Sequence, residues 1–414
     1  MSTKFLIILI SGLIGLIFVL NKKKPLKVIF WFSIGFMFIR PLSFGDYVFN
    51  LSLFLTVIVL FLNPKIIFSP NSFKEWRLWY LVLLIGFINA ITFQQSSLWF
   101  IGQDVLSKSF DWVLKFLVVI FVASAVTYFV KTKEDLNKLM YLFLLNCFIF
   151  SFTSTIAYFG FYDGIIIYGA DSLRIFQDLN NDIIYSEIYG ISYSNLVLFV
   201  SSCGIVFLPY LKWKAWKKYL LMLLIIFSVI ISLKRSAFII LILSILYYLI
   251  IERKKGNNIW ILFVPIIIIL IGTTYFDLIY KRFSGALNSI KGTGAVDSST
   301  NIRLSRINLA LQTFLDAPIF GKGAGYLSFV HNGFFEILAN LGLTGLILFK
   351  PLIRPLKKLK SSFYNPWAIS LILLMLTLVS FEAAINRVEI MYFVGLLYGG
   401  YMVSKKLNKS HSYE

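Results

Sequence analysis

Charge and metal-binding chemistry are scarce in this sequence. Only 14% of its 414 residues are Asp, Glu, Lys or Arg, and it holds two histidines and two cysteines. Cys147 and Cys203 fall in separate apolar runs with no paired spacing, which argues against a structural disulfide and a thiolate metal site. There is no Asp-x-Asp pair, no His and carboxylate cluster at ligand spacing, no Gly-x-x-x-x-Gly-Lys-Ser/Thr loop and no Gly-x-Ser-x-Gly turn. A site in this chain is therefore expected to work with no cofactor, metal or nucleotide. Internal repeats and low-complexity segments are missing too. Residues 5 to 20 have only Lys4 before them and no small-x-small cleavage site after them, so they are expected to remain as a first helix and not to leave as a signal peptide.

What the sequence has in abundance is apolar residues, 59% of the total. They come in runs that repeatedly reach the ~20 residues a bilayer-crossing helix needs. Lipid admits only helices and closed barrels, and unbroken runs select helices over alternating strands. The expected fold is all-α, a polytopic membrane bundle of about twelve or thirteen spans forming one domain over residues 1–414. The spans are read at 4–20, 26–44, 48–62, 77–93, 110–130, 138–160, 189–210, 217–233, 236–251, 258–276, 330–349, 366–384 and 389–403. The formal charge of +20 does not indicate nucleic acid, because the basic residues form short clusters between apolar runs.

Most of the 39 Lys and Arg residues crowd into alternate loops: 22–27, 65–77, 131–138, 212–218, 253–255, 350–360 and the tail from Lys405. By the positive-inside rule these loops face the cytoplasm. Most acidic residues then lie on the other side, with the two long polar loops, 161–188 and 277–329. The first is acidic and aromatic around a single Arg174, a composition that suits hydroxyl-rich ligands or a solvated connector. Candidate chemistry thus faces outward, away from ATP and nucleotide sugars.

Against this charge pattern Lys234-Arg235 is misplaced, between two helices whose outer ends meet. Ionisable groups at that depth usually have a ligand or partner; an anion is one reading and snorkelling to lipid phosphate the other. Arg303 and Arg306 stand three apart on a polar, helical run, so they share a face. Guanidinium forks grip phosphate oxygens in a way lysine does not, although a solvated face of an amphipathic helix would look the same. A turn, Ala317-Pro318-Ile319-Phe320-Gly321-Lys322-Gly323-Ala324-Gly325, leads to Ser328, read as an N-cap, and then to His331. A neutral His331, kept so by a helix N-terminus and nearby arginines, could serve as a base, or the residue could be structural. Asn332 and Glu336, four apart, are read as one helical face on which Glu336 orients Asn332 or His331, or pairs locally. Gly342 and Gly345 suit close helix packing.

In this order, Arg235-Ser236 heading a helix, Arg303, the Ala317–Gly323 turn, His331-Asn332-x-x-x-Glu336 and Gly342-x-x-Gly345 resemble the O-antigen polymerase and ligase superfamily. The similarity is concentrated in residues 230–350. The resemblance implies a bacterial inner-membrane glycosyltransferase acting at the periplasmic face, with undecaprenyl-pyrophosphate-linked glycan as donor and acceptor. It implies that His331 assists the acceptor hydroxyl and that Arg235 and Arg303 bind the lipid pyrophosphate. Arg306, Asn332, Glu336 and Arg174 follow as substrate-binding candidates. Some polymerases carry a glycine eleven residues after an arginine in each outer loop; Tyr185 and Phe314 stand there instead. The expected activity is polymerisation of surface-polysaccharide repeat units, with transfer to lipid A core by a ligase as the alternative and a lipid-linked sugar flippase as the reading from another class. Expected partners are membrane lipid and a chain-length regulator protein, with no nucleic acid.

Overall fold

A computed structural model describes residues 25–35, 42–44, 47–49, 51–68, 70–93, 105–158, 195–232, 235–255, 298–328, 330, 332–381 and 388–410. The expected spans 4–20 and 258–276, the loop 161–188 with Arg174, residues 277–297, Lys234 and His331 lie outside them. In chain order the helices are α1 (Pro25–Gly35), α2 (Leu51–Leu62), a single turn α3 (Lys65–Phe68), α4 (Pro70–Phe93), α5 (Val105–Phe129) and α6 (Lys133–Tyr158). They continue with α7 (Asn195–Gly204), α8 (Ala215–Ser232), α9 (Arg235–Lys254), α10 (Ser298–Asp316), α11 (Gly333–Leu341), α12 (Lys350–Leu356), a short α13 (Leu359–Ser362), α14 (Pro366–Phe381) and α15 (Val388–Ser410). Two 3-10 stretches, Ile205–Tyr210 and Gly342–Phe349, prolong α7 and α11.

The protein is an all-α polytopic membrane protein. Among the described residues four helical segments are long and apolar enough to cross a bilayer: Ser72–Thr92, Leu106–Phe129, Lys133–Phe152 and Gly333–Leu356. Pro25–Gly35, Ser52–Leu62, Val200–Tyr210 and Pro366–Ser380 are shorter apolar helices. Helix starts follow local chemistry. Proline opens α1, α4 and α14, where the missing N–H costs no hydrogen bond. Thr132 caps α6 by accepting from the Asp135 N–H at 3.0 Å, and Glu134 and Asp135 in the first turn favour the positive end of the helix dipole.

Two boundaries differ from the sequence reading. The expected spans 26–44 and 48–62 do not run through: α1 stops at Gly35, and Leu42–Phe44 pairs antiparallel with Tyr47–Phe49, in register Leu42↔Phe49 and Phe44↔Tyr47. Pro41 disfavours helix for the residue before it, and the Gly45-Asp46 dipeptide between aromatic and branched residues is a hairpin signal that the apolar count hides. The span 330–349 is also not one α-helix, for reasons given with the site.

Among the described helices α5 and α15 pack closely. A Cβ on Gly395 would lie 2.9 Å from the Val119 carbonyl oxygen and one on Gly399 2.7 Å from Val126 Cβ. Two glycines four apart let the helix backbones approach, which is how helices associate where lipid removes the hydrophobic drive.

The basic loops meet at one end of the bundle. Lys27 of α1 binds Asp135 of α6 at 2.9 Å. Glu75 of α4 takes Lys350 at 3.0 Å and the Arg354 guanidinium, both from α12, and accepts from the Tyr398 hydroxyl of α15 at 2.8 Å. Glu252 of α9 lies 4.0 Å from Lys218 and 3.6 Å from Lys255, and Asn365 donates to Ser404 at 3.1 Å. Desolvation, then the charge of Lys406, lowers the Lys131 pKa from its ordinary value, which sets the tail beside the 131–138 loop. Chain direction then fixes the opposite end, where α4 and α14 finish and α5, α9 and α11 begin.

Candidate active site

That opposite end is built around α10 and α11. On α10, Ile302, Leu304, Ser305, Asn308, Leu311, Gln312, Leu315 and Asp316 are exposed, whereas Ala310 and Thr313 are buried and Arg303, Arg306, Ile307 and Phe314 half-buried. At 3.6 residues per turn, Arg303 and Arg306 flank Ala310 on the inward face. Both Nε atoms are buried, and that of Arg303 has no hydrogen-bond partner among the described residues. The solvated-face alternative thus does not describe these two side chains. Ala310 packs with Leu327, Val330 and Ala339, with Ile307, Leu309, Tyr326 and Phe335 around them, and this small cluster joins α10 to α11.

α11 begins at Gly333, not at 331. Asn332 is its N-cap, accepting the Phe335 N–H at 3.1 Å, so the N-cap role expected of Ser328 belongs to Asn332. Its amide also donates to the Ser380 carbonyl near the end of α14 at 3.2 Å. Asn332 therefore precedes the helix and does not share a helical face with Glu336. The Glu336 carboxylate, fully buried, accepts the Val330 N–H at 3.2 Å. Residues on both sides of position 331 are thus fixed, Val330 by Glu336 and Asn332 by its cap, while His331 itself lies outside the described residues.

The glycine-rich turn has a structural task. At Gly342 (φ 59°) the helix leaves α geometry and continues as a 3-10 stretch, and such a break frees backbone groups that lipid cannot satisfy. The turn takes them up. Lys322 and Gly323 N–H groups donate to the Ala339 and Asn340 carbonyls at 3.1 and 2.9 Å, and the Leu343 and Thr344 N–H groups donate to the Pro318 and Ile319 carbonyls at 2.8 and 3.2 Å. The outer side of the turn docks on α4 and α5: the Ala324 N–H donates to Gly86 at 2.8 Å and the Ser109 hydroxyl to the Ala324 carbonyl at 2.6 Å. Gly323, at φ 113°, has no room for a side chain, since a Cβ would lie 2.5 Å from Ala90 Cα.

Asn340 is the residue that sequence reasoning missed. Fully buried, it donates to the Leu327 and Glu336 carbonyls at 2.7 and 2.9 Å and accepts the Leu327 N–H at 2.9 Å. It thereby pins the approach to position 331. A lone amide in Ile337-Leu338-Ala339-Asn340-Leu341 was the available signal, because polar side chains inside a span seldom lack a task.

Arg235 heads α9, with its backbone at this same end, and α9 packs against α14, the helix that Asn332 bonds. Among the described residues no three His, Cys, Asp or Glu side chains group as a metal site would require. What the geometry offers is two inward guanidinium side chains on α10, the helix that packs against α11, whose N-terminus carries partial positive charge. Such a place favours an anion.

A family model described as O-antigen ligase matches residues 220–350, from within α8 to the start of α12. No curated protein matches the chain. The matched span takes in Arg235, α10, the glycine-rich turn, His331 and α11, and over it this membrane protein is similar to the O-antigen polymerase and ligase superfamily of glycosyl-transferring enzymes.

Proposed function

We propose that the protein polymerises undecaprenyl-pyrophosphate-linked oligosaccharide units into O-antigen or a related surface polysaccharide, at the periplasmic face of the bacterial inner membrane. The observation that carries this reading is the inward placement of Arg303 and Arg306 on α10, the helix that packs against α11, since two guanidinium forks suit a doubly phosphorylated group. A sugar hydroxyl of the incoming unit attacks the anomeric carbon of the growing chain. As that C–O bond forms, the bond from the anomeric carbon to pyrophosphate breaks, and the lipid pyrophosphate leaves with the electron pair. His331 takes or orients the hydroxyl proton. Arg235 and Arg303, with Arg306, neutralise charge growing on the leaving group, where preorganised cations act most strongly. Arg174 adds a contact from the loop 161–188. Asn332 and Glu336 serve as positioning residues, since their side chains hold the backbone around position 331. The donor already stores the leaving-group energy, so neither nucleotide nor metal is required.

The ligase reading rests on the description of the matched family itself. Purified protein given one lipid-linked repeat unit separates the two. The proposal expects a ladder of longer products, abolished in His331→Ala at unchanged protein level. Product formed only after lipid A core is added would replace polymerase by ligase, and near wild-type turnover in His331→Ala would remove the base assignment.

A further inference from the structure

At the end where the basic loops meet, a cavity of about 410 Å³ opens between α6 and α8. That size lies in the range of small-molecule sites, ~300–1,000 Å³. Both helices enter from this end, so their residues descend together. Lys217 and the rings of Tyr141, Trp213 and Trp216 form the mouth, and Leu145 and Phe148 line the deeper part. Tyr141 and Trp213 stack with ring centroids 6.0 Å apart. Polarity therefore changes along the groove from basic and amphipathic aromatic side chains at the mouth to purely apolar ones below, the profile of an amphiphile standing in one leaflet.

The charges at the mouth decide which amphiphile. Lys138 is held by Glu134 at 2.6 Å, and Lys218 leans toward Glu252. Lys214 and Lys217 are exposed and have no carboxylate partner among the described residues; Lys217 rests over the Trp216 ring, 5.5 Å from its centroid. Basic pockets between spans on the cytoplasmic side suit anionic headgroups. We infer that this groove binds one anionic glycerophospholipid, with an acyl chain against Leu145 and Phe148 and its phosphate between Lys214 and Lys217. The site stands at the opposite end of the bundle from Asn332 and does not depend on the proposed polymerase activity.

Full-length protein, delipidated in detergent, is titrated with phosphatidylglycerol or phosphatidylcholine and followed by native mass spectrometry and thermal melting. The wild type is expected to retain phosphatidylglycerol at least about tenfold more tightly, given two lysines at the surface. In Lys214→Gln/Lys217→Gln the preference should vanish while phosphatidylcholine binding is unchanged. Leu145→Trp should remove one bound lipid of either kind, and Leu220→Trp, on the more exposed opposite wall, does the same if the first variant fails to fold. Equal retention of both lipids by the wild type, an unchanged lipid count in the tryptophan variants, or displacement of phosphatidylglycerol by a polyprenyl phosphate would each overturn the inference.

Discussion

Replacing Asn340 by leucine tests whether the approach to His331 is held by one side chain. Leucine has the same branched heavy-atom skeleton and is somewhat bulkier, so no cavity term arises. What is lost is polar satisfaction. The Leu327 N–H and carbonyl, both bonded to Asn340 and both buried, are left without partners. Each orphan costs about 1–3 kcal/mol, so the variant should lose ~2–6 kcal/mol in total. The bond to the Glu336 carbonyl adds little, because that carbonyl lies in the interior of α11. Thermal melting in detergent or nanodiscs reads the loss, with Asn308→Leu, exposed on α10, as a control expected to stay within about 0.5 kcal/mol of wild type. Glycan transfer should fall further than the melting shift alone explains when assayed well below the melting temperature, because the backbone before His331 loses its anchor. If Asn340→Leu melts and turns over like the control, the clamp does not hold the site.

Gly323→Ala must place a Cβ against Ala90 at a φ that L residues rarely adopt, adding about 1–3 kcal/mol of strain before the clash is counted; monodisperse protein with an unchanged melting temperature would show that the turn is not docked on α4. Glu75→Gln leaves Lys350 and Arg354 side by side without their counter-charge. Because these side chains are 22–33% exposed, solvent screening reduces the loss from the ~3–5 kcal/mol of a buried pair to about 1–2 kcal/mol, and a melting temperature equal to wild type would deny the lock between α4, α12 and α15. Arg303→Lys keeps the charge and loses the fork, so turnover should drop about 10–100-fold at unchanged stability; wild-type kinetics would remove Arg303 from pyrophosphate binding.

Much of the architecture was legible because lipid narrows the choices. Apolar length alone locates α14 to within a few residues and finds α5 and α6 with starts read about five residues late, and the spacing of basic clusters predicts which loops gather at one end; Lys27 with Asp135 and Glu75 with Lys350 and Arg354 join loops that the charge pattern had assigned to one side. The same measure failed at Leu42–Phe44 and Tyr47–Phe49, which are apolar enough to read as helix yet pair as antiparallel strands. It failed again at Gly342, where a span is broken and its backbone groups are taken up by a segment about twenty residues earlier.

For the site, the sequence by itself determined the membrane setting and the presence of three arginines, a histidine and a glycine-rich turn within one stretch, since these follow from composition and order. Only the tertiary structure decided that Arg303 and Arg306 face inward, because helical spacing defines a shared face but not the side on which a neighbour packs. It alone decided that the turn repairs a broken helix, and that Asn340 anchors the approach to position 331, because hydrogen-bond partners 13 residues apart are set by how the chain folds back and not by local pattern.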